Sequence, residues 1–283
     1  MTFVDPTHVF KGKLVFTVPH MDDGVLACGG TIAMLPNKEH VHIIYATDGM
    51  ASPAPVLPWR DSVSEELGKA RINEARDAMG SLGVSEENIH FLGFPDGRLK
   101  KHLEKLNRRL SQLFEQIGPS HVFVPFRYDQ HSDHLALNHT VTDLLKGDSN
   151  KTQQNEYFVY YRYRFLSEKD VRRYIYSQYL AEVDITDVSD RKRAALSFFK
   201  SQTTKYYAWQ TRPNLSRWLL DEVSQKPEIF LRYDSSLPGT TIFKNSAVWI
   251  RLTHILEPII KRKKDQVVAL FQRGLALNDR KAN

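Results

Sequence analysis

The chain has 283 residues, 41% apolar and 25% charged, which is enough for a large α/β domain with an ample core. Its single cysteine, Cys28, excludes a disulfide framework and a cysteine-rich zinc finger. The net charge of +6 is local: residues 246–283 hold eight Lys/Arg against three acidic residues, leaving the body near neutral and excluding a basic nucleic-acid-binding surface.

In chain order, residues 14–18 are a short apolar β run ending at Pro19, and residues 24–35 read as a loop leading into a helix. A second strand is expected over 41–46. Residues 65–82 place Ala70, Ala75, Ala78, Met79 and Leu82 at helical spacing and stop at Gly83. A third strand fits 89–92. Residues 103–117 suit an amphipathic helix, with Leu106, Leu110, Leu113, Phe114 and Ile117 on one side and Gly118-Pro119 to end it. A fourth strand at 122–125 and a helix at 135–145 complete the series. Strands alternating with helices predict a Rossmann-like α/β fold, a doubly wound and mostly parallel sheet flanked by helices. Farther on, 146–156 reads as an exposed polar loop, 157–165 as an aromatic-rich strand, 182–185 as a strand, 189–201 as a helix and 206–213 as a loop. The expected division is one domain over 1–245 and a basic amphipathic helical extension over 246–283.

In doubly wound sheets ligands bind in the loops at the carboxyl ends of the strands. The chemically loaded segments sit where that rule puts them. His20-Met21-Asp22-Asp23 follows the first strand, Thr47-Asp48-Gly49 the second, Phe94-Pro95-Asp96-Gly97 the third and Arg127 to His134 the fourth. One imidazole and two adjacent carboxylates can supply two metal ligands and one free carboxylate, although the aspartates would also serve as helix caps. In His131-Ser132-Asp133-His134 two histidines at i and i+3 can face one direction. One can bind metal while the other donates a hydrogen bond to a developing oxyanion. The plainer reading is a pair of surface histidines at a helix start. Two such loops on one sheet favour the metal reading.

Rival chemistries have weaker support. Ser132, Asp133 and His134 are adjacent, so their side chains diverge, and no Gly-x-Ser-x-Gly elbow is present. Gly29-Gly30 is only half of a dinucleotide-binding fingerprint. Cys28 beside it is more simply a packing residue than a nucleophile.

These segments resemble the PIG-L/LmbE family of zinc-dependent N-deacetylases. The likeness is carried by Pro19-His20-Met21-Asp22-Asp23-Gly24, then Cys28-Gly29-Gly30, then His131-Ser132-Asp133-His134. Thr47-Asp48-Gly49, Arg71-x-x-Glu74, Phe91 to Gly97 and the closing run through Lys192, Ser201 and Gln202 support it, so the resemblance spans about residues 12 to 205. It implies hydrolysis of the N-acetyl amide of an N-acetylglucosaminyl conjugate with Zn2+ as cofactor. By position, His20, Asp23 and His134 would hold the metal, Asp22 would be the general base, and His131 would stabilise the oxyanion or act as acid. Arg71 and Asp96 match positions that contact the sugar in some members. Asp133 is expected to hold one of the histidines. Gly24 replaces the hallmark glutamate and Met21 the hallmark proline; neither is a ligand or base position, so the site is expected to survive. Phe199 stands where many members have a histidine. Other readings are a metal-dependent amidohydrolase on a different acyl-amide conjugate and a catalytically silent sugar-binding member of the fold.

The second half is rich in aromatics, and Trp209 in its loop is the best candidate to stack on a sugar, with core or interface packing as the plainer reading. Within 246–283, Val248, Leu252, Ile255, Leu256, Ile259 and Ile260 recur at helical spacing before Lys261-Arg262-Lys263-Lys264. Such a helix can rest on an anionic membrane or dock on the domain with a solvated basic end, and docking is the simpler reading. No signal-peptide pattern opens the chain and no run nears the ~20 apolar residues that span a bilayer, so the expected location is cytoplasmic, at most peripheral to a membrane. The expected partner is a small-molecule or glycoconjugate substrate, not nucleic acid.

Overall fold

Leu14-Val15-Phe16-Thr17-Val18 has no charged face to turn to water, and in the computed structural model of the chain it is a central strand, buried along its whole length. The structure describes residues 3–53, 64–147, 152–232 and 241–244, and, within 248–260, all but 249 and 258. Among them the strands β1 (Leu14–Val18), β2 (Val41–Thr47), β3 (Ile89–Phe94), β4 (His121–Pro125), β5 (Gln153–Tyr157), β6 (Leu180–Val183) and β7 (Glu228–Arg232) form one sheet in the order β3-β2-β1-β4-β5-β7-β6. The first five strands are parallel. β7 runs antiparallel to both β5 and β6. The Rossmann-like, mostly parallel reading therefore holds, with an antiparallel β7 near one edge.

The helices are α1 (Pro6–Val9), α2 (Asp23–Met34), α3 (Glu65–Ser81), α4 (Leu103–Ile117), α5 (Ser132–Lys146), α6 (Ser189–Leu196), α7 (Lys200–Thr203) and α8 (Arg217–Gln225). Because strand side chains alternate, Leu14, Phe16 and Val18 join a core with α2, α3 and α6, while Val15 joins the core under α4 and α5. Covering both faces explains why the central strands are nearly continuous apolar runs. α4 ends on Gly118 at φ +66°, whose N–H donates to the Phe114 carbonyl, so the sequence's stop signal is a left-handed cap. A third apolar cluster, including Phe126, Phe158, Tyr163, Leu231 and Ile250, packs at the β7/β6 end of the sheet.

Two expectations need correction. The polar run read as an exposed loop contains β5, and the aromatic run 157–165 read as a strand is irregular after Tyr157. Gln154, Asn155 and Glu156 are polar yet buried, and distant partners hold two of them: Gln154 donates to Thr142 Oγ1, and Glu156 accepts from Arg127 Nε at 2.9 Å. Satisfied polar groups can occupy a strand that apolar periodicity alone would miss. Phe158, Tyr163 and Leu166 instead fold over the sheet edge into the third cluster.

The Gly29-Gly30 step has a packing cause. A Cβ on Gly30 would stand 2.5 Å from Ile185 Cγ2, so only glycine allows this approach. The contact lets Glu228 accept from the Gly30 and Thr31 amides at 2.7 Å each and pair with Lys192 Nζ at 2.7 Å, all buried. Removing one member of a buried pair leaves an uncompensated charge. Lys192→Met should therefore cost about 3 kcal/mol, read as a lowered urea midpoint, and Lys192→Met combined with Glu228→Gln should recover part of it.

Candidate metal centre

The order β2-β1-β4 contains the topological switch point, since the chain runs outward on one side from β1 and on the other from β4. Loops leaving β1 and β4 diverge to opposite faces and open a crevice between them. His20 and Asp23 come from the first loop and helix start, His131 and His134 from the second. The two constellations meet there. His20 Nδ1 lies 2.9 Å from Asp23 Oδ2, His134 Nε2 lies 3.1 Å from the same oxygen, and the two ring nitrogens are 3.3 Å apart.

These separations discriminate between the readings of the aspartates. Asp22 is the N-cap residue of α2 but makes no side-chain capping bond, and Asp23 Oδ2 accepts from the His20 amide at 3.1 Å. The carboxylates face the crevice instead of capping the helix. Ligand atoms of a tetrahedral zinc site at 2.0–2.1 Å are about 3.3 Å from each other, so this donor set fits such an ion. Ring nitrogens of His20, His131 and His134 also lie within 4.8 Å of one another, as do donor atoms of His20, Asp96 and Asp133.

The second of those groups holds the His20 ring. Asp96 Oδ1 is 3.2 Å and Asp133 Oδ2 3.4 Å from His20 Nε2. Both carboxylates already accept backbone amides: Asp133 from Gly97 and Leu99, Asp96 from Ala51. They hold the far nitrogen of His20 and leave Nδ1 turned toward Asp23. Asp129, which the sequence reading passed over, does the same for His134: its Oδ2 lies 3.2 Å from His134 Nδ1, with both side chains fully buried. Its signal is its place in the loop after β4, third in the loaded run Arg127 to His134. Such carboxylate–histidine pairs fix ring orientation and tautomer.

His131 is both cap and site residue. Its Nδ1 accepts from the Asp133 amide at 3.2 Å, which leaves Nε2 to carry the ring proton. Burial, then the neighbouring His20 and His134, pull its pKa down to about 4, so the ring is neutral at pH 7. Asp22 is held differently. Its Oδ1 accepts from Arg71 Nη2 at 2.8 Å, and burial raises its pKa while Arg71 opposes the rise. Arg71 is 1% exposed and also donates to the carbonyls of Gly49 and Ser52. Gly49, at φ +66°, turns its carbonyl to the guanidinium, and a Cβ there would sit 3.3 Å from Arg71 Nη1.

The departures from the family pattern are structural. Met21 is fully buried in the core. A Cβ at Gly24 would stand 3.0 Å from Met79 Cε and 3.1 Å from Val18 Cγ2, so those side chains occupy the space a larger residue would need. Phe199 is core. Burial, followed by the Glu228 charge, raises the Cys28 thiol well above its ordinary value, which removes it as a nucleophile. Of the aromatics, Tyr157 and Tyr163 are core, Tyr160 stacks on His134 at 5.6 Å, and Trp209 stacks on Tyr207 at 5.5 Å.

Residues 15–145 match the PIG-L family, described as GlcNAc-PI de-N-acetylase. This segment is therefore similar to the PIG-L family. A curated relative, the probable N-acetyl-alpha-D-glucosaminyl L-malate deacetylase 2 of Bacillus cereus, is 25% identical over 65% of this chain and 81% of its own length. The N,N'-diacetylchitobiose deacetylase of Pyrococcus horikoshii has a similar fold, with a TM-score of 0.61 and 19% identity over 86% of this chain and 92% of that one. The 4-carboxy-2-hydroxymuconate hydratase GalB of Pseudomonas putida does too, with a TM-score of 0.53 and 18% identity over 84% of this chain and 100% of that one. A deacetylase and a hydratase sharing the fold means that the reaction has to be argued from the site.

Crowding these donor atoms has a pH consequence. Burial disfavours charge on His134, but Asp129 and then Asp23 outweigh it and raise its pKa to about 9 from 6.5. His20 is raised as well, by Asp133, Asp23 and Asp96 against burial. A proton held more tightly in the folded chain stabilises it fully below pH 6.5, and that contribution is lost as pH rises through about 9. Metal-free protein should therefore show a lower Tm at pH 9 than at pH 6.5. With a divalent ion replacing the protons' charge the difference should shrink, as thermal scans with and without chelator would read.

Proposed function

We propose that the chain is a zinc-dependent N-deacetylase that hydrolyses the N-acetyl amide of an N-acetylglucosaminyl conjugate. The observation that carries the reading is the convergence of His20 Nδ1, Asp23 Oδ2 and His134 Nε2 within 3.3 Å, with the uncapped carboxylate of Asp22 beside them. The family match and the Bacillus cereus deacetylase support the choice of an acetamido sugar.

His20, Asp23 and His134 would hold the ion, with Asp96, Asp133 and Asp129 orienting the two rings. Zinc in such a site polarises an amide carbonyl and brings the pKa of a water near 7. Arg71 engages Oδ1 of Asp22 and orients that carboxylate, leaving Oδ2 to take the proton from the attacking water. Burial raises the proton affinity of Asp22, which suits a general base working near neutrality. His131 directs its Nε2 proton to the oxygen that becomes anionic, and its neutral ring keeps that proton as a hydrogen-bond donor. Asp96, within reach of both His20 and Arg71, would contact the sugar, as the family resemblance implies. Arg71 supports substrate indirectly, through Asp22 and the Gly49 to Ser52 turn.

Metal analysis of the purified chain, followed by acetate release from a panel of N-acetyl sugars, tests the proposal. Zinc should be found, and at least one N-acetylglucosaminyl compound should release acetate. Asp22→Asn should retain the metal and lower kcat about 10²- to 10⁴-fold. Metal-loaded wild type that releases no acetate from any compound, or release unchanged by Asp22→Asn, would overturn it.

A further inference from the structure

The described part of the C-terminal stretch is helical at 248, 250–257 and 259–260. One side of it is docked. Ile250 and Thr253 are buried, Ile250 within the third apolar cluster. His254 Nδ1 lies 3.2 Å from the Tyr128 carbonyl, and Glu257 accepts from the Phe165 amide at 3.2 Å. On this side, which is not the apolar stripe the spacing marks, the helix packs against the rest of the chain.

It leaves the apolar stripe uncovered. Val248, Leu252, Ile255, Leu256 and Ile259 are 40 to 73% exposed. Their spacing of four, three, one and three residues places them on one face. An apolar helix face is ordinarily buried, and among the described residues nothing covers this one. Lys261-Arg262-Lys263-Lys264 follows it directly in sequence, in the stretch that holds +5 of the chain's +6.

We propose that this face docks the protein on an anionic lipid bilayer, the apolar stripe entering the interface and the basic run meeting the headgroups. Charge selects this occupant. A second copy packed face to face would bring two runs of four cations together, whereas an anionic surface attracts them. Length and composition agree, since an apolar stripe flanked by Lys/Arg suits a helix lying in the interface and not across it. Among the described residues no helix is long and apolar enough to cross a membrane. The docked side packs against the loop that carries the site, since His254 lies against Tyr128, which precedes Asp129 in the loop that ends at His134. An enzyme held this way would meet substrates presented at the bilayer surface. The inference stands on the helix alone and does not depend on the reaction catalysed.

Co-sedimentation of the full chain with phosphatidylcholine vesicles, with and without about one-third phosphatidylserine, tests it. Wild type should bind the anionic vesicles and be released at about 1 M salt, where screening shortens to about 3 Å. Leu252→Glu with Ile255→Glu, and separately Lys261→Gln, Arg262→Gln, Lys263→Gln and Lys264→Gln together, should each weaken binding about tenfold or more. Both variants should keep the wild-type Tm and acetate release from a soluble substrate, since all of these positions lie outside the site. No binding to anionic vesicles, or binding that survives the double glutamate variant, overturns the proposal. So does a wild-type dimer in free solution that this variant converts to monomer, which would assign the face to a second copy.

Discussion

Everything around the site answers to one electrostatic constraint: two imidazoles and a carboxylate press their donor atoms within 3.3 Å of one another where water barely reaches. Such a cluster is stable only with compensating charge, from protons in the empty site or from a cation in the filled one. Three more buried carboxylates, Asp96, Asp129 and Asp133, surround the rings, and Arg71 is the buried cation set against Asp22 and Asp96. Negative charge exceeds positive there, as a site prepared for a cation requires.

The fold meets that constraint by dividing the labour between rigid elements. β1 and β4 lie side by side, so residues that are 114 apart in sequence share a wall of the crevice. The loop after β3 reaches over through Asp96, and the amides of Gly97 and Leu99 anchor Asp133. Arg71 enters from α3, whose start is set by the Ser64 cap bonding the Leu67 amide. Each functional side chain is thus held by a second contact to backbone or carboxylate, which limits its freedom before any substrate arrives.

Departures from the family pattern show how local sequence and packing compensate. Losing the hallmark glutamate at Gly24 leaves room that Met79 and Val18 occupy, and the residue that replaces the hallmark proline, Met21, becomes core. Neither change touches a donor atom. In the same way Phe199 is absorbed by the core, and Gly29-Gly30, which resembles half of a nucleotide-binding turn, serves the close approach of Ile185 and Glu228.

By itself the sequence determined the alternation of strands and helices through Ser132–Lys146, the parallel sheet, and which loops carry the chemistry, because apolar periodicity and post-strand placement are local properties. It could not find β5, whose polar side chains are buried through partners distant in the chain, nor that the apolar stripe of the C-terminal helix is left exposed, since exposure depends on what packs against it. Tertiary structure alone decided that Asp22 faces Arg71 and not the helix amides, and that Asp129 supports His134. It also decided that His20 turns one nitrogen to Asp23 and the other to Asp96 and Asp133. Adjacent carboxylates are alike in sequence, and only the direction of each side chain in the folded crevice tells Asp22 from Asp23.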